Sequence, residues 1–301
     1  MVAAFEEPEP TEEFLANDTQ GPWIAEIPLH CVLEGLEDLG IFIMKHTDPT
    51  PFADINELLE LLLSGMQKIL GEKLIGLYLY GSLVTGDFDK ESSDIDLLTA
   101  LSSGIDDRDF KHLQKMHNDF ANKHKQWDDR IEVCYISVAA LRTVKSRTSK
   151  VANISPGEPF HRKEARKDWL IDWYVVREKG ITLFGPSPKT IIEPISKDEF
   201  MQAIRAHAKA WGKWIYDMHN RKSQAYAILT MCRALYTCKI GEQVSKKQAA
   251  LWAQKEFPEW ASLIQNALLW REDWRNEQVD HEETFPETLK FVRFAISQCE
   301  N

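Results

Sequence analysis

Three short apolar segments, each bounded by turn or charged residues, constrain the fold of this chain more than any other feature. They are LIGLYLY at residues 74–80, DIDLLTAL at residues 94–101 and RIEVCYISV at residues 130–138. Runs of this length and composition are typical of buried strands. Between the second and third runs, apolar residues from Phe110 to Phe120 repeat at helical spacing. The order strand, turn, strand, helix, strand predicts a mixed sheet with flanking helices.

Helical periodicity dominates the rest of the chain. From Asp54, apolar residues recur at intervals of three and four, which predicts an amphipathic helix with Asp54 as its N-cap and a stop at Gly71. Residues 139–163 lose any regular pattern and collect basic residues, so we expect a solvated loop there. From Lys197 onward nearly every stretch repeats at helical spacing.

The fold class is therefore predicted to be α+β. We expect a mixed-sheet domain over residues 54–190 and an all-α bundle over residues 191–301. An acidic extension is expected over residues 1–53, because residues 1–60 contain fourteen Asp and Glu against the single basic residue Lys45. An acidic, Pro-containing composition of this kind is typical of a solvated N-terminal segment.

Charge and cysteine content exclude several classes of function. The formal net charge of -11 belongs to the N-terminal extension, since residues 61–301 contain 33 acidic and 35 basic residues, and an acidic, Pro-containing start is unfavourable for nonspecific nucleic-acid binding. The five cysteines are scattered and include no Cys-x-x-Cys pair, so the sequence predicts neither a disulfide framework nor a zinc site and favours a reducing cytoplasm. No apolar run approaches the roughly 18 residues that a membrane-spanning helix needs.

Three carboxylates and one turn suggest where the chemistry lies. Alternation along a strand points Asp94 and Asp96 to the same face, and Glu132 reaches that face if its strand lies beside theirs. Carboxylates this close repel one another unless a cation joins them, and Mg²⁺ favours such oxygen ligands. The turn at Gly81 and Ser82 offers a close backbone approach and a hydroxyl for phosphate oxygens. Together they indicate a site for Mg²⁺ and a nucleoside triphosphate.

The segment LYLYGSLVTGDFDKESSDIDLLTAL at residues 77–101 resembles the signature of the DNA polymerase beta type nucleotidyltransferases. More narrowly, the chain resembles the aminoglycoside adenylyltransferases of the streptomycin and spectinomycin type. This second resemblance also rests on IEVCYI, on DWYVVREKGITLFGPSP and on the segment from Ala227 to Pro258. It implies a nucleotidyltransferase domain followed by a helical C-terminal domain.

The resemblance also implies roles for individual residues. Asp94 and Asp96 match magnesium ligands, and Glu132 matches the catalytic base and a further metal ligand. The nucleotide-binding positions of the family match Gly81, Ser82, Ser93, Asp168, Arg233 and Lys246.

The activity that the resemblance implies is Mg²⁺-dependent transfer of AMP from ATP to a hydroxyl of a small acceptor, a cationic aminoglycoside or aminocyclitol antibiotic. A monomer or weak dimer is expected. Two other hypotheses remain open: nucleotide transfer to a protein or a tRNA end, and a nucleotide-binding module without turnover. In streptomycin-modifying members an acidic cluster grips the antibiotic, but here Asp217 is the only acid close before the segment AILTMCR. The resemblance therefore leaves the identity of the acceptor open.

Overall fold

A six-stranded mixed sheet forms the centre of the first half of the chain. The structure is a computed structural model that describes residues 48–165, 169–272 and 281–300. The first 47 positions of the expected acidic extension lie outside these residues. The strands are β1 (Leu74–Tyr80), β2 (Ile95–Leu101), β3 (Ile131–Ser137), β4 (Ser149–Ser155), β5 (Glu158–Ala165) and β6 (Ile181–Phe184).

The strand order is β5-β4-β3-β2-β1-β6. Strands β2 and β3 are parallel, and the other four neighbouring pairs are antiparallel. A parallel pair needs a crossover connection, and the helix predicted between the second and third apolar runs supplies it. The three strands predicted from the apolar runs are confirmed, each within one residue at either end.

Helices surround the sheet in the first half and make up nearly all of the second. Those in the first half are α1 (Ala53–Leu70), α2 (Ser82–Thr85), α3 (Asp107–Lys123), α4 (Val138–Leu141), α5 (Leu170–Lys179) and α6 (Pro188–Ile191). Those in the second half are α7 (Lys197–Trp214), α8 (Arg221–Ile240), α9 (Lys246–Glu256), α10 (Ala261–Glu272) and α11 (His281–Glu300). The α+β class, a sheet domain followed by helices, is confirmed. Among the described residues, none of these helices is both long and apolar enough to cross a bilayer.

The region over residues 139–163 is not the loop that the sequence predicted. It contains β4 and most of β5, an antiparallel hairpin that turns at Gly157 with a φ of 79°. In β5 only Phe160 and Ala165 are buried, and charged side chains lie on both faces of the strand. A strand with one buried face usually shows alternating apolar and polar residues, and β5 lacks this alternation, which explains the error.

The start of α1 also differs from the prediction. Asp54 is not its N-cap; it lies in the first turn and pairs with Lys90. Hydrogen bonds between Asn56 in the helix and Thr50 instead hold the segment before the helix in place. The Asn56 side chain donates to the Thr50 carbonyl at 2.9 Å and accepts from the Thr50 backbone N–H at 3.1 Å. The predicted stop at Gly71 is confirmed, with a φ of 52°.

The two faces of the sheet pack against different helices. Residues such as Leu77, Leu79 and Leu97 form one core with α1 and α3. The alternate residues, such as Tyr78 and Leu98, join a second core with α5 and the helices of the second half. Because side chains alternate along a strand, the even-numbered positions of β2 and β3 face the helical half. This places Asp96 and Glu132 on that side of the sheet.

Candidate active site

Three carboxylates meet at one end of the parallel strand pair. Asp96 on β2 and Glu132 on β3 are direct partners in the ladder, and Asp94 lies two residues before Asp96 on the same side. One carboxylate oxygen from each of the three lies within 4.8 Å of the others. The sequence prediction that Glu132 reaches the face of the two aspartates is thus met by the parallel register. Oxygen donors at this spacing suit a hard divalent cation.

Gly81 ends β1 next to this cluster. Its φ is 73° and its ψ is -146°, a conformation that residues with a Cβ rarely adopt. A Cβ at this position would lie 1.8 Å from the Oδ2 atom of Asp96. The turn therefore requires glycine at position 81 for two reasons. Its backbone angles are unfavourable for other residues, and the Asp96 carboxylate occupies the space of a side chain.

The carboxylates raise one another's proton affinity. Burial, followed by the charges of Asp94 and Glu132, holds the pKa of Asp96 well above its usual range. Burial and the charges of Asp172 and Asp94 raise the pKa of Glu132 to about 8. In a half-buried site that contains several negative charges, a bound cation lowers the electrostatic energy. The donor set and its electrostatics thus both fit a divalent metal ion.

A cavity of about 300 Å³ opens from this cluster between the sheet and the helices of the second half. Its walls come from the ends of β1, β2 and β3, from α2 and α5, and from α7, α8, α9 and α10. This volume is at the lower end of small-molecule sites. Its charged and hydrogen-bonding lining includes Ser82, Asp87, Asp94, Asp96, Glu132, Asp172, Lys179, His207, Tyr226, Arg233, Gln243, Lys246 and Arg271.

Three basic side chains from the helical half line the cavity. Arg233 lies on α8, Lys246 begins α9 and Arg271 lies on α10. Burial, followed by the charge of Arg233, lowers the pKa of Lys246 to about 7, although Asp94 and Asp96 act in the opposite direction. The Lys246 ammonium lies 3.9 Å from the centroid of the Tyr226 ring. The cavity therefore contains a carboxylate cluster from the sheet and a basic cluster from the helices, an arrangement complementary to a metal-bound polyphosphate.

The two serines predicted to bind the nucleotide have different environments. Ser82 begins α2 and lines the cavity, and its buried hydroxyl has no hydrogen-bond partner among the described residues. Ser93 is buried and does not line the cavity. Its hydroxyl accepts from the Asp89 backbone N–H at 3.0 Å and from Arg271 Nη2 at 3.4 Å. Ser93 therefore ties the loop before β2 to the helical half.

Several residues that line the cavity were missed in the sequence, among them Asp172 and Arg271. Asp168, the predicted nucleotide contact, lies outside the described residues, whereas Asp172 on α5 lines the cavity. Arg271 was not singled out either, because a lone arginine on a helix has no distinguishing pattern. A signal for Asp172 did exist, since it is a single acid between the apolar residues Ile171 and Trp173. Gly81, Ser82, Asp94, Asp96, Glu132, Arg233 and Lys246 all line the cavity as well.

Comparison with known proteins gives two matching family models. Residues 59–172 match the nucleotidyltransferase domain, and residues 190–298 match the aminoglycoside adenylyltransferase C-terminal domain. The first of these segments contains the three carboxylates and the second contains the three basic residues. Each of the two matched domains therefore supplies one of the two charged clusters of the cavity.

Curated relatives agree with these models. An aminoglycoside (3'') (9) adenylyltransferase of Rhizobium radiobacter is 28% identical over 128 residues, which are 40% of this chain and 44% of that protein. One of the same name from Shigella flexneri is 23% identical over 255 residues, 79% of this chain and 94% of that protein. The fold is similar to that of the spectinomycin adenyltransferase of Enterococcus faecialis solved with ATP and spectinomycin, with a TM-score of 0.65 at 19% identity. That match covers 81% of this chain and 99% of the solved one.

Proposed function

Because the chain belongs to the aminoglycoside adenylyltransferase family of nucleotidyltransferase enzymes, we propose that it transfers AMP from ATP to a hydroxyl of a cationic aminoglycoside or aminocyclitol. One observation carries this proposal. Asp94, Asp96 and Glu132 meet within 4.8 Å on the sheet, and basic residues of the helical half line the same cavity. Such a cavity matches the charges of a nucleoside triphosphate with its metal.

Each cluster has a separate part in binding the donor nucleotide. Asp94, Asp96 and Glu132 would hold Mg²⁺, which supplies charge neutralisation to the triphosphate. Arg233, Lys246 and Arg271 bind the phosphate oxygens by charge-assisted hydrogen bonds. The Ser82 hydroxyl is buried and has no hydrogen-bond partner in the described part of the chain, which supports a role in donating to a phosphate oxygen. These contacts orient the α-phosphorus for attack.

Glu132 accepts the proton of the acceptor hydroxyl. In the absence of metal, burial together with the charges of Asp172 and Asp94 raises the pKa of Glu132 to about 8, and a cation bound at the cluster would lower this pKa toward the range in which the carboxylate is ionised and can act as a base. As the acceptor oxygen bonds to the α-phosphorus, the bond from that phosphorus to the oxygen bridging to the β-phosphate breaks. Pyrophosphate leaves with the electron pair of that bond, and the basic residues bind its charge.

A labelled-donor assay tests the proposal. The protein is incubated with ATP labelled at the α-phosphate, Mg²⁺ and, in separate reactions, spectinomycin, streptomycin, tRNA or a protein lysate. Label on a small cation is the expected result. Label on a macromolecule would instead support transfer to a protein or a tRNA end. No Mg²⁺-dependent transfer to any acceptor would contradict the proposal and leave a binding module.

A further inference from the structure

Three acids outside the metal cluster lie on the loop over residues 86–94, which joins α2 to β2. They are Asp87, Asp89 and Glu91. Asp89 shapes the loop itself, since its carboxylate accepts from the backbone N–H groups of Glu91 at 2.8 Å and Ser92 at 2.9 Å. Glu91 is exposed. Of these three acids Asp87 alone lines the cavity, and its hydrogen-bond partner lies in the helical half.

Asp87 binds the first turn of α9. Its Oδ2 atom accepts from the backbone N–H of Lys247 at 3.2 Å. The first N–H groups of a helix have no partner within the helix. Here the Ser245 hydroxyl accepts from the Gln248 N–H at 3.1 Å, and Asp87 accepts from the neighbouring N–H. A carboxylate is also favourable at this end of the helix dipole. The start of α9 is therefore held by a residue of the sheet half.

The loop that contains Asp87 is fixed to the sheet half. The Asp87 backbone N–H donates to the Ser82 carbonyl at 3.2 Å, next to the turn at Gly81. Farther along the loop, the Lys90 ammonium pairs with Asp54 of α1 at 2.5 Å. Because both ends of this stretch are anchored, Asp87 sets the position of the start of α9 relative to the turn beside the carboxylate cluster.

Lys246 is the cavity residue next to this contact. It begins α9, directly before the residue whose N–H binds Asp87, and its ammonium lies 3.9 Å from the centroid of the Tyr226 ring. A lysine has a flexible four-carbon side chain, so the place that its ammonium reaches depends on where its backbone is held. At the far end of the same loop, the Ser93 hydroxyl accepts from Arg271 Nη2 at 3.4 Å. The loop thus contacts two of the helices that supply the basic cluster.

We propose that Asp87 is a positioning residue for the nucleotide, which binds the first turn of α9 and so places the Lys246 ammonium where it meets the phosphates. This inference rests on the proposed function, because it requires that Lys246 binds phosphate. The expected effect is opposite to that of charge alone. A negative charge that lines a site for an anion repels the anion, so removal of the Asp87 charge alone should tighten nucleotide binding. Loss of the positioning contact should weaken it.

Equilibrium binding measures this effect without turnover. The full chain and its variants are titrated calorimetrically, in the presence of Mg²⁺, with an ATP analogue whose α,β-methylene bridge prevents AMP transfer. Asp87→Ala should bind the analogue at least about threefold more weakly than the wild-type protein. Asp87→Asn keeps an oxygen that accepts from the Lys247 N–H, so it should bind within about twofold of the wild type. The matched control Glu91→Ala removes a charge from the same loop and should bind as the wild type does.

A double-mutant cycle tests whether Asp87 acts through Lys246. Asp87→Ala should weaken binding much less when Lys246 is already alanine, because no ammonium is left to place. A loss by the same factor in both backgrounds would overturn the inference, since a general structural effect would act in both. Chemical denaturation verifies that each variant folds. Should Asp87→Ala not fold cooperatively, Asp87→Ser replaces it, because the serine oxygen lies one bond closer to the backbone than a carboxylate oxygen.

The outcomes separate this inference from the proposed function. Wild-type or tighter binding by Asp87→Ala would overturn the inference, and so would an Asp87→Asn variant as weak as Asp87→Ala. No measurable binding of the analogue by the wild-type protein would also overturn it. AMP transfer to a cationic acceptor by a protein that gives any of these results would leave the proposed function intact. An affinity that depends on Asp87 through Lys246, without AMP transfer to any acceptor, would contradict the proposed function alone.

Discussion

The Asp96 carboxylate lies in the space that a side chain at Gly81 would fill. A Cβ on Gly81 would be 1.8 Å from Asp96 Oδ2, and Gly81 has a φ of 73°. Asp96 is also the direct ladder partner of Tyr80, the residue before Gly81. The turn after β1 and the carboxylate on β2 therefore form one unit, in which the backbone of one strand shapes the acidic site on the next.

Gly81→Ala should remove activity as well as stability. The added methyl group must displace the Asp96 carboxylate, and a shift of about 1 Å at a reacting centre can cost roughly 100-fold in rate. The strained backbone should also lower the free energy of unfolding by about 1–3 kcal/mol. Steady-state AMP transfer and chemical denaturation measure the two effects.

Gly86→Ala provides the matched control for this variant. Gly86 has a similar φ of 76°, but a Cβ there meets nothing within 4 Å. We expect a loss of about 1–2 kcal/mol in stability with the transfer rate nearly unchanged. Equal losses of activity in the two variants would mean that backbone strain, and not the displaced carboxylate, explains the effect.

Glu132→Gln should be inactive but more stable than the wild-type protein without metal. The pKa of Glu132 is raised to about 8, above the value of 4.5 for an unperturbed glutamate. Between these values the folded protein binds more protons than the unfolded one, so stability falls as the pH rises, by up to about 1.4 kcal/mol per pH unit.

The neutral glutamine removes this penalty. Denaturation of the metal-free proteins at about pH 8 should show the variant more stable by about 1–3 kcal/mol, and the difference should shrink toward pH 5. Loss of the general base should lower the transfer rate by about 100-fold or more. A variant less stable than the wild type at high pH would mean that Glu132 is not held in an unfavourable charged state.

Lys246→Ala should weaken nucleotide binding by about tenfold or more, since a charge-assisted hydrogen bond contributes about 1.5–3 kcal/mol. The matched control is Lys247→Ala. Lys247 is exposed and does not line the cavity. ATP titrations of the two variants give the comparison, and equal losses would contradict a specific role for Lys246.

Lys246 should also make the affinity for ATP depend on pH. The pKa of Lys246 is lowered to about 7 by burial and by Arg233, so its ammonium loses the proton as the pH rises through this value. ATP affinity measured without divalent cations should therefore fall between about pH 6 and 8. In Lys246→Ala this decrease should be much smaller. An identical pH profile in both proteins would assign the dependence to another group.

Local pattern was sufficient to predict the carboxylate cluster. Alternation along β2 fixes the common face of Asp94 and Asp96, and the apolar runs locate the strands. Glu132 required one further condition, that β3 lies beside β2, and the parallel register meets it. These features depend on short stretches of chain whose periodicity is visible in the sequence.

Other parts of the site depend on tertiary packing and were not predictable in the same way. Asp172 reaches the cavity because α5 packs on the even-numbered face of the sheet, and Arg271 because α10 approaches the loop at Ser93. Neither of these packing contacts between helix and sheet or loop produces a periodic pattern in the sequence. The hairpin of β4 and β5 was missed because charged residues lie on both faces of β5, so this strand has no alternating apolar pattern.

The most direct test of the three-carboxylate site is the Mg²⁺-dependent transfer of labelled AMP by Asp96→Asn, compared with Asp119→Asn. Asp119 is exposed on α3, where it pairs with Lys115. The account predicts that Asp96→Asn folds cooperatively and transfers AMP at least about 100-fold more slowly than the wild-type protein, while Asp119→Asn keeps the wild-type rate. A wild-type rate of transfer by Asp96→Asn would contradict it.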